Sequence, residues 1–495
     1  MKKKITIIGS GFAALSASCY LAKMGHQVAV FEKNASIGGR ARQLKKEGFT
    51  FDMGPSWYWM PDVFDRFFAD FGKKTSDYYE LIKLSPAYRV YYGVDDFIAI
   101  ADNLIEIETT FEKIEKGSGQ ILDDFMMEAQ SNYNIAIKDL VYRPGVSPLE
   151  LVTVETAMKV GAFFSNISKD IRKKFKNEKL IQILEFPVLF LGAKPSDTPS
   201  FYSFMNFADF GLGTWHPKTG MFDVVKAMES LALELGVTFH TNANIEKIIV
   251  EDKTAKAIVV NGKRIDSDIV LSGADYHHTE TLLDKEHRAY SAKYWKSRVF
   301  APSSLLFYVG FNKKIKNISH HALFFDVDFK QHAADIYDKP QWPKEPLFYA
   351  NFPSLTDKTA APEGMETGFF LIPLAPGIED TEELREEYFD KIMDRFERVT
   401  QQSIKKNIIF KESFCKNDFV SEYNSYKGNA YGMANTLLQT AFLRPKLKSK
   451  KVNNLYFTGQ LTVPGPGVPP ALISGKLVSE LIEKQIKEYY YEAII

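Results

Sequence analysis

The feature that most constrains this chain is a glycine-containing turn between a short apolar run and a helical pattern near its start. Residues 4–8 read Lys-Ile-Thr-Ile-Ile, which is typical of a buried parallel strand. The turn Gly9-Ser-Gly-Phe-Ala-Ala14 follows, then a helical pattern over residues 13–24, with Gly25 at the C-cap position. A second apolar run, Val28–Glu32, completes the unit. This order predicts a βαβ unit of the Rossmann type, with alanine in the third glycine position.

Each part of this turn has a physical role in holding a dinucleotide. Gly9 permits the tight turn, Gly11 lets a pyrophosphate approach the backbone, and Ala14 is small enough for helix and strand to touch. The helix N-terminus supplies N–H groups and partial positive charge for the phosphates. Glu32 would accept hydrogen bonds from the ribose hydroxyls and would repel the 2′-phosphate of NADP. The predicted cofactor-binding residues of this unit are Gly9, Gly11, Phe12, Ala13, Ala14 and Glu32.

A second glycine pair with an arginine follows the second strand and favours FAD over NAD. Residues 33–42 contain Gly38-Gly39-Arg40, and this pattern resembles the extended pyrophosphate site of glutathione-reductase-like and amine-oxidase-like flavoproteins. Backbone N–H groups and the Arg40 guanidinium would hold phosphate or oxygens close to the flavin. The stretch 51–57 resembles the segment that these proteins run past the isoalloxazine. The predicted cofactor-binding residues here are Lys33, Gly39, Arg40, Gly54, Pro55, Ser56 and Trp57.

The end of the chain repeats the order strand, glycine turn and helix. Residues 454–459 form an apolar run ending in glycine, a Gly/Pro-rich turn follows, and a helix is expected from about 471 to 490. In flavoproteins of this kind the C-terminal strand returns beside the first strand, its glycine approaches the ribityl chain, and the helix points at the flavin pyrimidine. Many families carry aspartate where this chain has Gln460, so the chain departs from the family pattern at the position that contacts the ribityl or pyrophosphate group. The predicted cofactor-binding residues are Gly459, Gln460, Gly467 and Val468.

A middle segment is expected to belong to the same domain. It contains a helix that runs to Gly236, a β-hairpin over residues 245–260 and a buried strand at 268–275. The backbone at Ile245 is where such folds meet the adenine. The sequence therefore predicts an α/β fold whose Rossmann-type FAD-binding domain is discontinuous. The expected division is 1–75, 215–280 and 420–495 for the FAD-binding domain, 76–214 for a largely helical substrate and membrane-facing region, and 281–419 for a mixed α+β substrate domain.

Composition excludes several other classes. Lysine plus arginine equals aspartate plus glutamate at 62 each, so the basic excess of a nucleic-acid binder is absent. Two cysteines, Cys19 and Cys415, cannot build a disulfide framework. No metal site is expected, because the adjacent histidines 320 and 321 have no cysteine or acidic partner at ligand spacing. The apolar stretch 5–22 carries the glycine motif and is interpreted as a strand and helix rather than a secretion signal.

The whole chain resembles the bacterial carotenoid desaturases of the phytoene-desaturase type. The resemblance rests on the opening unit and Gly38-Gly-Arg40, and on later segments at 51–57, 213–221, 274–280, 320–325, 346–354, 439–445 and 464–475. It implies an FAD-dependent enzyme that desaturates a long acyclic carotenoid, passes electrons to oxygen or a quinone, and sits peripherally on the inner, cytoplasmic face of the cell membrane. The aromatic-rich region 76–214 suits an apolar tunnel resting on lipid.

The expected reaction moves a hydride from the substrate to the flavin and a proton from the neighbouring carbon. A substrate of this kind must be held by shape, so no acid–base signature is expected and no catalytic residue is assigned. The substrate is phytoene or a 1-hydroxylated carotenoid desaturated at the 3,4 bond; the hydroxyl would favour a polar anchor in the tunnel. The alternatives are a flavin-dependent carotenoid isomerase or saturase, an amine or protoporphyrinogen oxidase of the same superfold, and a lipid-binding module with a structural FAD.

Overall fold

A computed structural model of the protein describes residues 2–151, 153, 159, 161 and 165–492. The strands are β1 Lys4–Ile8, β2 Gln27–Phe31, β3 Gln43–Lys46, β4 Phe49–Asp52, β5 Leu81–Lys83, β6 Tyr88–Gly93, β7 Asp96–Ile100, β8 Trp215–Pro217, β9 Thr238–His240, β10 Ile245–Glu251, β11 Thr254–Val260, β12 Lys263–Asp266, β13 Ile269–Ser272, β14 Ser303–Phe311, β15 His321–Phe324, β16 Phe348–Asn351, β17 Glu366–Leu374, β18 Ile408–Phe414 and β19 Leu455–Phe457. The α-helices of five or more residues are α1 Phe12–Lys23, α2 Pro61–Ala69, α3 Leu104–Ile114, α4 Ser118–Lys138, α5 Ile167–Lys174, α6 Glu178–Glu185, α7 Phe222–Glu234, α8 Tyr276–Thr281, α9 Ala292–Lys296, α10 Phe329–Tyr337, α11 Glu382–Thr400, α12 Lys416–Tyr423 and α13 Val468–Glu492.

A parallel five-stranded sheet carries the opening motif. Its strand order is β19-β13-β1-β2-β9, and every neighbouring pair runs parallel. The predicted βαβ unit is confirmed. The expectation that the C-terminal strand lies beside the first is wrong, because β13 pairs with β1 and leaves β19 at the edge. All four residues of β13 are buried, as is typical of a parallel strand in a sheet whose two faces are both covered.

Close contacts hold α1 against the sheet and against the last helix. Ten consecutive residues of α1, from Phe12 to Leu21, are buried. A Cβ placed on Gly273, which follows β13, would lie 2.7 Å from the Cβ of Ala14. A Cβ on Gly475 of α13 would lie 2.6 Å from the carbonyl oxygen of Ala13, and the Ser16 hydroxyl donates to the Leu472 carbonyl at 2.7 Å. The small residues therefore fix where the N-terminus of α1 points.

The second large sheet joins strands from both inserted segments. Its order is β18-β14-β17-β16-β15-β6-β7, antiparallel except for the β15–β6 pair. The region 76–214, predicted to be largely helical, also contains three short strands, β5, β6 and β7, between residues 81 and 100. These runs are short and β-rich. β6 pairs with β15, more than 200 positions later, whereas β7 pairs with β6 and β5 pairs with β8. The second hydrophobic cluster lies between this sheet and α11.

The predicted hairpin and terminal helix are confirmed with small shifts. β10 and β11 pair antiparallel, and β12 adds a third strand. α13 begins at Val468, before the expected start, because Pro469 and Pro470 are tolerated in a first turn whose N–H groups have no intrahelical partner. Within the described ranges, no helix has the length and apolarity to cross a membrane. Both cysteines are buried free thiols.

Candidate functional site

The turn after β1 places a carboxylate at the carboxyl edge of the sheet. Gly9 adopts a φ of +84°, which favours glycine, and its N–H donates to the Phe31 carbonyl at 2.8 Å. The buried Glu32 carboxylate accepts from the Ser10 N–H at 3.1 Å, the Ser10 hydroxyl at 2.7 Å and the Asn34 N–H at 2.9 Å. Glu32 is thus held at the position where a ribose hydroxyl could donate to it.

The N-terminus of α1 faces a cavity with its backbone exposed. Gly11 is the N-cap residue, no side chain caps the helix, and the first turn contains no acidic residue. A Cβ on Gly11 would meet nothing within 4 Å, whereas a Cβ on Gly39 would lie 3.3 Å from the Gly11 Cα. An anion could therefore approach the positive end of the helix dipole from the cavity side.

Arg40 lines the same cavity as the N-terminus of α1, and we call Glu32, Gly11, Gly39 and Arg40 together the cradle. Nη2 of Arg40 donates to the Ser425 hydroxyl at 2.6 Å, while its Nε is buried and has no partner among the residues described. Burial lowers the pKa of Arg40, and the nearby Asp275 opposes that shift. Burial likewise raises the pKa of Asp275. An arginine with an unmet buried donor fits a site completed by an anionic or carbonyl-bearing ligand, such as the pyrophosphate or flavin of FAD.

Gly54 brings the segment before Trp57 against the cradle. A Cβ at Gly54 would clash with the carbonyl oxygen of Arg40, so only glycine fits. The Tyr308 hydroxyl donates to the Met53 carbonyl at 2.8 Å and fixes the chain on the other side. As a result Ser56 and Trp57 follow directly from the cofactor cradle.

The turn between β19 and α13, residues 459–467, lines the cavity beside the N-terminus of α1. Gly459 has a φ of +105°, and its N–H donates to the Ser474 hydroxyl at 3.0 Å. The buried Arg444 donates to the carbonyls of Gln460 at 2.7 Å and Thr462 at 2.9 Å. Burial lowers the pKa of Arg444 to about 10. This guanidinium ties the turn together through carbonyl groups, a role that the sequence motifs did not indicate.

Almost every predicted cofactor residue lines one cavity. Those on its wall are Gly9, Gly11, Phe12, Ala13, Glu32, Lys33, Gly39, Arg40, Gly54, Pro55, Ser56, Trp57, Ile245, Gly459, Gln460, Gly467 and Val468. Ala14 lies behind the wall, where it contacts Gly273. Sequence reasoning missed Asp275, which lines the cavity and accepts from the N–H of His278 at 3.1 Å. Its place after β13, at the carboxyl edge of the sheet, was the signal that could have found it.

The same cavity continues into an apolar arm, and its volume is about 890 Å³. The arm is lined mainly by aromatic and aliphatic side chains, among them Phe186, Phe190, Phe204, Phe325, Phe329, Ile336, Leu347 and Phe369. Four acidic residues line the described wall. Glu32 and Asp275 lie at the cradle, and Glu422 pairs with Arg42. The fourth is Glu150. Glu150 accepts hydrogen bonds from the N–H groups of residues 145–147. The arm itself therefore suits a long uncharged ligand.

Exposed apolar side chains lie around the end of the arm that is far from the cradle, next to Glu150; we call this end the mouth. Leu149 is 76% exposed and Leu438 is 75% exposed, and Val146 and Leu443 are exposed as well. Leu438 and Leu443 also line the cavity. Exposed apolar groups that cluster at the opening of a cavity are typical of interaction surfaces.

Comparison with known proteins agrees with this geometry. Residues 12–482 match the sequence model of the flavin-containing amine oxidoreductases. A carotenoid 3,4-desaturase of Haloarcula japonica is 39% identical over 97% of this chain and 98% of its own. A 4,4′-diapophytoene desaturase of Staphylococcus haemolyticus is 31% identical over 98% of this chain and 99% of its own. An oxidoreductase from Methanosarcina mazei superimposes with a TM-score of 0.60 at 17% identity, covering 97% of this chain and 100% of that one.

Proposed function

Because this chain belongs to the flavin-containing amine oxidoreductase family, we propose that it is an FAD-dependent carotenoid desaturase that introduces C=C bonds into an acyclic polyene end. Two relatives at 39% and 31% identity carry desaturase names and match over nearly their full length. The substrate is a phytoene-type hydrocarbon or a 1-hydroxycarotenoid that is desaturated at the 3,4 bond.

The observation that carries this proposal is the continuity of the cradle with the apolar arm in one cavity of about 890 Å³. A polyene has almost no polar groups, so shape and apolar contact must hold it. An amine substrate carries a positive charge and would favour a carboxylate in the arm. The acids on the described wall lie in the cradle and near the mouth instead, which favours the hydrocarbon.

The chain's own residues bind, orient and shield. When bound, FAD supplies a two-electron acceptor for a hydride. Glu32 would hold the ribose hydroxyls, the N-terminus of α1 and Arg40 the pyrophosphate, and the Gly459–Gly467 turn the ribityl and pyrimidine side. The aromatic side chains of the arm, Trp57 and Phe329 among them, position the substrate chain and exclude water from the positive charge that develops on it.

The mouth is proposed as a docking surface for the lipid bilayer on the cytoplasmic face of the cell membrane. Leu149 and Leu438 would enter the lipid, so that a carotenoid passes from the acyl chains into the arm without crossing water. A membrane location also gives access to a quinone as electron acceptor, with oxygen as the alternative.

The test reconstitutes the FAD-loaded protein on liposomes that contain phytoene or a 1-hydroxylated acyclic carotenoid. Chromatography with visible spectra would reveal red-shifted products, and the substrate that gives them defines the end-group chemistry. Absence of a longer-wavelength product from both substrates, with an acceptor present, would refute desaturation. A product of unchanged oxidation level would instead identify an isomerase.

A further inference from the structure

We propose that Ser56, Tyr349 and His321 form a relay that carries away the proton released during desaturation, a role that rests on the function proposed above. The Ser56 and Tyr349 hydroxyl oxygens are 2.9 Å apart, and the Tyr349 oxygen is 2.7 Å from Nδ1 of His321. Ser56 and Tyr349 line the cavity, whereas His321 lies behind the wall and stacks on Trp57 at 4.0 Å between ring centroids.

The surrounding hydrogen bonds fix the direction of the relay. The Asn351 side-chain Nδ2 donates to the His320 carbonyl at 2.9 Å, which sets the orientation of the amide. The same nitrogen is 3.2 Å from Nδ1 of His321, so Nδ1 must be an acceptor and carries no proton. The hydrogen between Tyr349 and His321 therefore belongs to the tyrosine, and Ser56 donates to the tyrosine oxygen. The lone pairs of the Ser56 oxygen remain for a proton from the cavity.

Ser56 stands where the cradle meets the apolar arm. Two residues earlier, Gly54 packs against the carbonyl of Arg40, and one residue later the Trp57 ring contacts Phe186 and Phe190. This junction is the part of the cavity that both a ligand held in the cradle and a substrate held in the arm can reach. The substrate must reach the same place for a hydride to transfer.

Behind His321 lies a group of imidazoles with unmet hydrogen-bonding capacity. Nε2 of His321, Nε2 of His320 and both ring nitrogens of His216 are buried and have no partner in the described part of the chain. The rings of His320 and His321 are 4.6 Å apart, and those of His216 and His320 are 4.3 Å apart. Burial holds the pKa of each of the three well below the usual value, to about 4 for His216, so they are neutral at rest.

A packing role alone does not account for this cluster. His332, a buried histidine on the same cavity wall, has both ring nitrogens satisfied, by the Pro373 carbonyl at 2.9 Å and the Leu347 N–H at 2.9 Å. Buried polar groups are normally paired in this way. The unpaired group next to His321 can share a transferred proton.

The desaturation step conserves atoms, electrons and charge. One substrate carbon gives its hydrogen and both bonding electrons to FAD as a hydride. The adjacent C–H bond breaks, its electrons form the C=C bond, and its proton passes to the Ser56 oxygen. The serine proton moves to Tyr349, and the tyrosine proton moves to Nδ1 of His321. After the product leaves, the imidazolium returns the proton through Tyr349 and Ser56 to water in the cavity. An allylic cation is a far stronger acid than an imidazolium, so a weakly basic histidine suffices. His321 acts through Tyr349 and is a positioning residue.

The first test reads the tautomer of His321 without turnover. Nitrogen-15 NMR of histidine-labelled protein should show Nδ1 of His321 unprotonated, with a shift that changes in Tyr349→Phe. A protonated Nδ1 in the resting protein would reverse the direction of the chain and overturn the relay.

The second test mixes anaerobic FAD-loaded protein on liposomes with the substrate and follows bleaching of the flavin. Tyr349→Phe and His321→Gln should bind FAD normally but react about 100-fold more slowly. An isotope effect should then emerge for deuterium on the carbon that loses the proton. Tyr388→Phe is the matched control, because this tyrosine is buried in the second core and its hydroxyl donates to the Pro343 carbonyl, away from the cavity.

The outcomes separate the relay from the function on which it rests. Variants that bleach as fast as Tyr388→Phe would overturn the relay and leave the desaturase standing. Wild-type protein that no acyclic carotenoid can bleach would overturn the desaturase, and the relay with it.

Discussion

Replacing Gly11 by alanine should separate the stability of the protein from its affinity for FAD. Gly11 has φ −71° and ψ 172°, which alanine adopts without strain, and a Cβ there meets nothing within 4 Å. The change should therefore stabilise the protein without cofactor by about 0.4–1 kcal/mol, since alanine loses less chain entropy on folding. The new methyl group would nevertheless stand in the space through which the pyrophosphate reaches the helix N-terminus.

The expected loss of affinity follows from that steric conflict. Forcing one methyl group into a filled site costs about 1–3 kcal/mol. At about 1.4 kcal/mol per tenfold change, the Kd for FAD should rise roughly 5- to 150-fold. Flavin fluorescence titration measures this Kd, and thermal unfolding of the cofactor-free protein measures stability.

Gly93→Ala is the matched control for this substitution. Gly93 lies at the end of β6, outside the cavity, and a Cβ there would lie 3.9 Å from the Cβ of Asp96. Equal FAD affinity in the two variants would refute the placement of the pyrophosphate beside Gly11. A lower unfolding temperature of cofactor-free Gly11→Ala would refute the claim that its surroundings are open.

Two further perturbations test other parts of the molecule. Burial raises the pKa of Asp209 to about 8 from a usual 3.8, so the folded protein keeps a proton that the unfolded chain releases, and stability falls as the pH rises from about 4 to 8. Asp209→Asn should therefore raise the unfolding temperature at pH 8 and leave it nearly unchanged at pH 4; equal effects at both pH values would contradict this. Leu149→Glu with Leu438→Glu should abolish co-flotation with liposomes, whereas Leu233→Glu, an exposed leucine on α7 away from the mouth, should not; flotation of the double variant would exclude docking through the mouth.

The parts of the site that the sequence predicted are those whose geometry is local. The turn from Gly9 to Ala14 places its own strand and helix, and Glu32 follows at the end of the next strand. Gly38 and Gly39 adopt positive φ angles of 105° and 55°, as glycines at a tight turn require. Such positions are readable because neighbours along the chain determine them.

The parts that escaped prediction depend on partners far away in sequence. β6 pairs with β15, more than 200 positions later, and β7 joins the same sheet only through β6, so no short window of sequence shows that this hairpin belongs to a seven-stranded sheet. Tyr349 and Arg444 acquire importance only where separate segments converge, on Ser56 and on the Gly459–Gly467 turn. The misplaced C-terminal strand came from analogy with other flavoproteins, since the pattern of residues 455–457 marks a buried strand without naming its neighbour.

The position of α13 against α1 has a consequence for biogenesis. The first helix of the cradle is complete after 23 residues, but the surface that supports it includes Gly475 and Leu472, near the other end of the chain. Ribosomal synthesis delivers these segments at about 5–20 residues per second, so the opening βαβ unit waits tens of seconds for its last partner. We therefore expect FAD to be bound after translation is complete, since a nascent chain stalled before residue 455 lacks the helix that covers the buried face of α1.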